Sequence, residues 1–486
     1  MDKMIPLKVI GSNGSDESDQ SASAGFGKSE ELKGSGELGS ASRLAAEARS
    51  PTGGKKHVEL SRIHDFASKL CQPDVLTRVK EYVRWQAALR GTAPAADHAV
   101  GLNGHANDGQ RSRSDKENGL TPPDFAPVSI NLDITTACNY ACDHCVDMDI
   151  LNQPIKYDHQ KLLDSLELMA NKGLRSVIVI GGGEPTVYPK FGDTIRFMKG
   201  LGLQVSIVSN GSGMKKIAEV ADCLEETDWI RLSLDSGSDE VFQAMHKPKR
   251  KITLDEICEG VGEVKCVSTR FKIGFSFIIT WKGAFINDTK IVENIHEIVM
   301  GAERARKYSF DYISYKPFLT RAPENNAEVV DLHDTDAHFD TIIARIRKSV
   351  DEAKKLTTDT FDVYEATNLK VLENRSYKNY TEQPHRCHMQ FFRQVLSPLG
   401  MYNCPVYRNQ RGGYLGTKEA YTDPATYDST RRQAAELVRT FDANHECKEV
   451  TCLYNHVNWW LEGLIDKPEL LDELQPSEHS EPDYFL

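Results

Sequence analysis

The chain has 486 residues, a net charge of -12 and 40 % hydrophobic residues, a composition typical of globular proteins with a sizeable core. The acidic balance argues against a general nucleic-acid binder or a binder of anionic membranes. No run of about 18 apolar residues is present, so no membrane span is expected. The N-terminus lacks the apolar core of a signal peptide, which predicts a cytoplasmic protein.

The number of cysteines carries more information than the charge. The chain has eleven cysteines. They are too sparse for a scaffold held together by disulfides, and an odd number of cysteines cannot all pair with one another. Reduced thiols are therefore expected, and clusters among them are candidate metal ligands. Three crowd into eight residues, and four more lie in the C-terminal quarter.

The first quarter of the chain consists of three segments that differ in amino-acid composition. Residues 1–55 are rich in Gly and Ser and are predicted to be disordered. Residues 56–91 carry apolar residues at three- and four-residue steps, which predicts a short helical segment broken near Pro73. This segment is either a brace for the rest of the fold or a docking element for a partner. Residues 92–125 are linker-like.

Strand and helix patterns alternate from residue 126 to residue 330. Alternation at this spacing predicts right-handed parallel units, and six of them fit a partial (β/α)6 TIM-like barrel of the α/β class. Active sites of such folds lie at the C-terminal ends of the strands. The predicted strands are 128–135, 175–183, 203–211, 229–237, 271–280 and 310–318. A helical connection, 331–383, is expected to follow.

A compact cysteine motif follows the first predicted strand. Cys138, Cys142 and Cys145 stand in the sequence CNYACDHC. Three soft thiolates on one loop can hold three corners of a 4Fe–4S cluster and leave one iron open to an exogenous ligand. A zinc site that includes His144, or a set of unrelated surface cysteines, is the alternative.

A glycine-rich turn ends the second predicted strand. Gly181, Gly182 and Gly183 precede Glu184, Pro185 and Thr186. Glycines at a strand end allow a ligand to approach the backbone closely. The adjacent carboxylate can accept hydrogen bonds from an ammonium group.

The two motifs, in this order and at this distance, resemble the radical S-adenosylmethionine (SAM) enzyme superfamily. The resemblance runs over about residues 127–330. It implies that the open iron binds the amine and carboxylate of SAM. It also implies that one electron from the cluster cleaves SAM to methionine and a 5′-deoxyadenosyl radical, which abstracts hydrogen from a substrate.

The resemblance assigns roles to individual residues. Cys138, Cys142 and Cys145 match the cluster ligands, and the SAM contacts match Gly182, Gly183, Glu184, Ser209, Asn210, Ser233 and Asp235. Asp235 has a second interpretation as the cap of the following helix. Where the family often has an aromatic residue before the third cysteine, this chain has His144, which can still stack on adenine.

Four later cysteines suggest a second metal site. Cys387 and Cys404 bracket a predicted β-hairpin whose ends adjoin in space, and Cys447 and Cys452 lie within a short stretch. Four thiolates can ligate a second 4Fe–4S cluster or, alternatively, zinc. The segment 384–465 resembles the shortened "twitch" form of the SPASM domain, a small α+β module that follows the barrel in many radical SAM enzymes. A C-terminal tail, 466–486, is expected to end the chain.

Several other residues carry weaker expectations. Cys71, Cys223, Cys258 and Cys266 show no metal spacing, and the last three are expected to be small apolar fillers. Lys316 is expected at the barrel mouth, as a substrate or SAM contact or as a wall residue. The pair Trp459–Trp460 is expected to pack a terminal helix. Arg431–Arg432 and the run 247–251 are expected to be solvated surface charge.

These features favour a radical SAM enzyme that acts on a small-molecule or peptide substrate and takes electrons from a flavodoxin- or ferredoxin-type reductant. The auxiliary cluster favours an oxidoreductase in which that cluster accepts the substrate electron. A redox-neutral lyase or transferase and a non-catalytic iron–sulfur protein for electron transfer or SAM sensing remain alternatives. Residues 56–91 are too short for the peptide-binding domain that many peptide maturases carry.

Overall fold

A computed structural model describes residues 64–91, 121–286, 289–321, 328–329, 337–477 and 482–486. The predicted disordered region 1–55 lies outside the described residues, as does most of the predicted linker 92–125. Within the described part of the chain, every helix is too short or too polar to cross a membrane.

A ten-stranded sheet organises the described residues. Its strand order is β11-β8-β5-β4-β3-β2-β1-β12-β13-β14, and two short ribbons, β6–β7 and β9–β10, lie outside it. The strands are β1 Ser129–Leu132, β2 Ser176–Val179, β3 Gln204–Ser209, β4 Trp229–Ser233, β5 Lys272–Ile279, β6 Phe285–Ile286, β7 Thr289–Lys290, β8 Tyr312–Pro317, β9 Thr320–Arg321, β10 Glu328–Val329, β11 Asp362–Glu365, β12 Arg393–Ser397, β13 Gly400–Tyr402 and β14 Tyr414–Gly416.

The six predicted strands are present as β1, β2, β3, β4, β5 and β8. Each pairs in parallel with its neighbour, so the predicted α/β class with a parallel-rich sheet is confirmed. All six therefore point their carboxyl ends, and the loops that follow them, to the same edge of the sheet.

The structure corrects three sequence expectations for the chain beyond the sixth strand. The predicted helical connection contains β11, which extends the parallel sheet beyond β8. The predicted hairpin begins with a helix, Met389–Phe392, before β12. β12 then pairs in parallel with β1, so the second cysteine segment shares one sheet with the barrel.

Helices separate most of the strands and begin at identifiable caps. Asp158 and Thr253 cap two of them, the latter in a capping box with Glu256, which satisfies otherwise orphaned N–H groups. The helices are Phe66–Leu70, Pro73–Arg90, His159–Asn171, Phe191–Gly200, Met214–Ala218, Asp239–His246, Leu254–Val267, Ile298–Lys307, Ala337–Lys354, Thr367–Asn374, Lys378–Thr381, Met389–Phe392, Pro424–Thr440, Ala443–Glu446 and Asn455–Asp466.

The two faces of the parallel strands differ in character. Residues that point outward, such as Ile130, Leu232 and Ile313, are fully buried. On β4 and β8 the inward-facing residues alternate with them and are only partly buried. The barrel interior is therefore accessible and lined largely by polar side chains, whereas the apolar core lies between the sheet and the helices.

The ends of the described chain pack onto the barrel. Pro73 opens the second helix of the N-terminal segment, and Tyr82 of that helix contacts Phe391 and Phe392, which favours the brace interpretation. The predicted tail is also partly buried, through Leu471, Leu474, Phe485 and Leu486. Likewise Phe125, at the end of the predicted linker, belongs to the core.

Candidate metal and SAM site

The loop that follows β1 carries the three-cysteine motif. The helix Asp239–His246 holds this loop from the side, since the backbone N–H of Ala141 donates to the carbonyl of His246 at 3.2 Å. Lys249 donates to the Cys138 carbonyl at 2.8 Å, and Lys247 pairs with Asp143 at 2.6 Å. Part of the run 247–251, expected to be free surface charge, therefore contacts the cysteine loop.

The three thiols are not arranged as a compact site for a single zinc ion. Two ligands on a tetrahedral zinc lie about 3.8 Å apart, given zinc–sulfur bonds of about 2.3 Å. Within the described residues, no three cysteine sulfurs lie within 4.8 Å of one another. In a 4Fe–4S cube each sulfur binds a different iron, which requires the wider spacing.

Burial keeps these thiols protonated before a metal binds. It raises the pKa of Cys145 to about 12 and the pKa of Cys142 well above its ordinary value, with neighbouring thiols and carboxylates adding to the shift. Iron binding must therefore displace thiol protons.

The glycine turn after β2 packs directly against the cysteine loop. Gly182 forms a parallel bridge with Thr135 and has a φ of +66°, a conformation that glycine adopts without strain. A side chain on Gly183 would stand 2.1 Å from the Ala137 carbonyl oxygen. The backbone N–H of Glu184 donates to that same carbonyl at 2.9 Å. The turn thus needs glycine in order to approach the loop closely.

We expect Gly183→Ala to destabilise the fold by about 1–3 kcal/mol, because the new methyl group overlaps backbone that cannot move aside. SAM affinity should fall in parallel, which equilibrium dialysis with labelled SAM would measure. The matched control is Gly262→Ala, since Gly262 lies in a helix with no atom within 4 Å of an added Cβ. The control should gain about 0.5–1 kcal/mol in stability. Equal effects in the two variants would contradict the close approach described here.

Glu184 organises the strand ends next to the glycine turn. Its carboxylate is 3 % exposed and accepts hydrogen bonds from the Ser209 hydroxyl at 2.8 Å and the Asn210 backbone at 2.7 Å. Thr186 donates to it twice more. Burial raises the pKa of Glu184, although these hydrogen bonds oppose the shift. The structure therefore brings together the predicted Gly182, Gly183, Glu184, Ser209 and Asn210.

Asp235 has a different environment from these residues. Its φ is +52°, and its carboxylate accepts hydrogen bonds from His144 at 3.0 Å and from the Ile278 backbone at 2.7 Å. Burial alone would raise the pKa of Asp235, but hydrogen bonds from His144 and His246 lower it below its ordinary value. The capping interpretation is wrong, since Ser238 caps the following helix. Ser233, the last residue of β4, is partly buried.

His246 connects Asp235 to the cysteine loop. Its Nε2 atom lies 3.0 Å from the Leu234 carbonyl, and its Nδ1 atom lies 3.3 Å from the Cys142 sulfur. A carbonyl only accepts, so the ring proton is assigned to Nε2, and the Cys142 thiol donates to Nδ1. His144 packs edge-on against His246 and is 7 % exposed, which leaves little of its ring to stack on adenine.

The four later cysteines meet at one place. Burial raises the pKa of Cys447 well above its ordinary value, and nearby Cys452, Cys387 and Cys404 raise it further. Their segments are tied together by hydrogen bonds: the Ala443 N–H donates to His385 O at 2.9 Å, and the Tyr407 hydroxyl donates to Glu446 O at 2.7 Å. All four cysteines are half-buried and free of disulfides.

These four sulfurs, too, are not arranged as a compact site for a single zinc ion. As in the first set of cysteines, no three of these sulfur atoms lie within 4.8 Å of one another in the described part of the chain. Apolar residues pack beside them, among them Val406, Val450 and Phe441. Asn458 donates to the Cys387 sulfur at 3.6 Å, the kind of contact that orients a metal ligand.

An arginine links the two cysteine sites. Arg408, four residues after Cys404, pairs with Asp133 at 3.0 Å and with Asp147 at 3.2 Å. Asp147 lies two residues after Cys145, and its carboxylate accepts a hydrogen bond from the Gly182 N–H at 3.3 Å. Burial raises the pKa of Asp133 to about 7, although the Arg408 guanidinium opposes the shift.

Arg408→Met is expected to destabilise the fold by about 1–3 kcal/mol, because it leaves the buried Asp133 and its neighbour Asp147 without the hydrogen bonds of the guanidinium. Chemical denaturation would measure the loss. Arg432→Met is the control, since Arg432 forms an exposed pair with Asp428 that is worth about 1 kcal/mol or less. The double variant Arg408→Met/Asp133→Asn should recover part of the loss. A single variant as stable as the control would contradict the pairing.

Several expected fillers and surface residues differ in the structure. Cys71 and Cys258 are fully buried, but Cys266 is exposed, contrary to its expected role as a filler. Arg431 is not solvated: it is 7 % exposed and donates to the carbonyls of Pro122 and Pro123. Trp460 is buried within the helix Asn455–Asp466, as the packing prediction requires.

Sequence reasoning missed four residues of the site: Asp133, Asp147, His246 and Arg408. Asp133 is a carboxylate inside the predicted strand 128–135, which was a usable signal. His246 is a single histidine in an amphipathic helix, and Arg408 lies in a polar loop, so neither differs locally from an ordinary surface residue.

Comparisons with known proteins find similar proteins over part of the chain. Residues 132–290 match the family model described as the Radical SAM superfamily. An S-adenosylmethionine-dependent nucleotide dehydratase from Thermoplasmatales archaeon (strain ISO4-H5) is 37 % identical over 110 residues, 22 % of this chain and 38 % of the relative. Mycofactocin maturase MftC from Mycobacterium tuberculosis (strain CDC 1551 / Oshkosh) is 30 % identical over 122 residues, 25 % of this chain and 30 % of the relative.

Among solved structures, SuiB from Streptococcus suis bound to S-adenosylmethionine is 13 % identical with a TM-score of 0.45, covering 65 % of this chain and 70 % of that chain. The matches to the two curated relatives span 38 % and 30 % of those proteins' own lengths. The motif pair, the parallel sheet and the family match agree: residues 132–290 form a radical SAM superfamily domain.

Proposed function

We propose that the chain is a radical SAM enzyme that cleaves SAM reductively and uses a second 4Fe–4S cluster to handle the substrate electron. The observation that carries the proposal is the direct packing of the glycine turn, Gly182 to Glu184, on the cysteine loop. That contact would place a bound SAM beside the iron that Cys138, Cys142 and Cys145 leave open.

The residues of the cysteine loop, the glycine turn and the strand ends would have different roles. The three cysteines would hold the first cluster, which when bound would supply one electron to cleave the sulfonium of SAM. Gly182, Gly183 and Glu184 would receive the amine of SAM, and Ser209 and Asn210, fixed by Glu184, would contact its ribose or methionyl part. Ser233 would add a contact from β4. We assign Asp235 instead to holding His144 and His246 behind the loop.

Cys387, Cys404, Cys447 and Cys452 would hold the second cluster with all four irons ligated. A closed cluster can accept or pass an electron but has no free iron for substrate. Its loop reaches the first site through Arg408, which supports an electron-transfer role. The substrate class is a small molecule or a peptide, and a flavodoxin or ferredoxin is the expected reductant.

Metal content tests this proposal first. Anaerobic reconstitution should give a brown protein with about eight irons and eight sulfides per chain, two cubes of four. A colourless protein that binds zinc would contradict it, since zinc has a filled d shell. With a substrate in hand, net oxidation should accompany each 5′-deoxyadenosine released. SAM recycled without net oxidation would favour the redox-neutral alternative.

A further inference from the structure

Two basic side chains face the barrel interior with no carboxylate beside them. Arg231 lies on β4 and Lys316 on β8. Among the described residues, neither forms an ion pair within 4.0 Å, although many other basic side chains do. Lys316 makes a long contact of 3.4 Å to the Ser276 hydroxyl. The Arg231 Nε atom is buried without a hydrogen-bond partner.

The two cations adjoin one layer of the interior from opposite sides. Arg231 lies two residues before Ser233 on β4, and Lys316 lies two residues after Ser314 on β8, level with Ile278. Strand register sets Arg231 beside Gly274 and sets Gly274 beside Tyr312. The missing side chain at Gly274 leaves room for the Tyr312 ring, which would stand 2.0 Å from an added Cβ. Tyr312 thereby lies across β5, next to the position of Arg231. The hydroxyl groups of Ser233, Ser276 and Ser314 form the next level toward the mouth.

The electrostatics show that the two positive charges interact. Burial lowers the pKa of Lys316 well below its ordinary value, and Arg231 lowers it further. Burial also lowers the pKa of Arg231. The negative charge of Asp235 raises the pKa of both groups, although Asp235 lies beyond ion-pair distance from each. Its carboxylate already accepts hydrogen bonds from His144 and from the Ile278 backbone. A buried charge without a counterion is costly, so burial favours the neutral amine of Lys316, and a bound anion would favour its charged form. The Arg231 guanidinium also lacks a counterion, and it lies 5.3 Å from the centre of the Trp229 ring.

Position separates this pair from the glycine turn that is assigned to SAM. The glycine turn follows β2, and β8 lies four strands away from β2 in the sheet order. Arg231 lies two residues before Ser233, the last residue of β4, so its backbone is about 7 Å below the strand end. Lys316 lies near the end of β8, but its amine reaches back to Ser276. A ligand bound by the pair would therefore lie against β4, β5 and β8 at the level of the serines.

We propose that Arg231 and Lys316 bind an anionic group of the substrate, a carboxylate or a phosphate. The proposal rests on the proposed function, because it places the anion in the cavity where the substrate radical would form. A planar guanidinium matches either anion with two hydrogen bonds, and an ammonium adds a point charge. The Tyr312 and serine hydroxyls would supply further donors.

Orthophosphate and acetate serve as probes while the substrate is unidentified. Thermal unfolding of the reconstituted protein should show saturable stabilisation by one of the two anions, beyond chloride at equal ionic strength. Arg231→Gln should weaken that binding by about 10-fold or more. Lys316→Met should also weaken it, and should melt at or above the wild-type temperature without anion, since it removes a buried amine that has no counterion. The control is Lys272→Gln, an exposed lysine on β5.

Each outcome decides the proposal. Anion binding that is absent in the wild type, or unchanged in both variants, would overturn it. Competition between the anion and SAM would also overturn it, because the two cations would then bind the SAM carboxylate. If anions bind as expected but 5′-deoxyadenosine never forms, the anion site stands and the proposed function fails.

Discussion

Replacing Cys142 by alanine should reduce SAM cleavage to the background of a protein-free control. Cys142 would bind one of only three protein-ligated irons in the first cluster, so its loss removes a corner of the cube. The same change removes the thiol that donates to His246. About four irons per chain should remain, held at the second site. Iron and sulfide analysis together with chromatography of 5′-deoxyadenosine would measure both effects.

Cys266→Ala is the matched control for this experiment, because Cys266 is an exposed cysteine with no metal spacing. It should retain about eight irons and full SAM cleavage. A Cys142→Ala protein that still forms 5′-deoxyadenosine at the wild-type rate would show that the loop does not hold the reactive cluster.

The double variant Cys387→Ala/Cys404→Ala should lose about four irons and retain part of its SAM cleavage. The two sites use separate cysteines, so the first cluster should still form. Turnover of a substrate should fall more than SAM cleavage does, because the substrate electron would lose its acceptor. The fold should persist, since β12 is held by its pairing with β1 as well as by the cysteines.

Iron analysis, SAM cleavage and far-UV circular dichroism of this double variant are the measurements. Cys266→Ala again serves as the control. An iron count equal to that of the wild type would refute the second site. Loss of all the iron would indicate instead that the two sites assemble as one unit.

The six strands were predictable because apolar residues that become buried recur along each of them. The run is nearly continuous in β2, whereas apolar and polar residues alternate in β4 and β8. β11 escaped prediction because Asp362–Glu365 alternates exposed and half-buried residues at the sheet edge. It therefore lacks the fully buried apolar positions that identify a central strand.

The pairing of β12 with β1 could not be predicted from local patterns. The hairpin itself has a turn signal at Pro398 and Gly400, but its partner strand lies about 260 residues earlier in the chain. Sequence reasoning therefore treated the second cysteine segment as a separate small domain. The three-dimensional pairing places the Cys404 loop near the first site and makes the Arg408 link possible.

The residues of the candidate site likewise fall into those that the sequence predicts and those that only the structure identifies. Residues in dense motifs, such as Cys138 and Glu184, were predictable because unusual spacing separates them from chance. His246 and Arg408 act through contacts with residues that are distant in sequence. The sequence around these two residues does not indicate those contacts, so only the structure identifies His246 and Arg408 as part of the site.

Formation of 5′-deoxyadenosine is the decisive test of radical SAM chemistry in this protein. The reconstituted protein should be incubated anaerobically with dithionite and SAM, and the nucleoside should be quantified against protein concentration. We expect at least one 5′-deoxyadenosine per chain, dependent on reductant and absent in Cys142→Ala. A protein that holds about eight irons yet forms no 5′-deoxyadenosine would contradict the proposed function and favour an electron carrier or a SAM sensor.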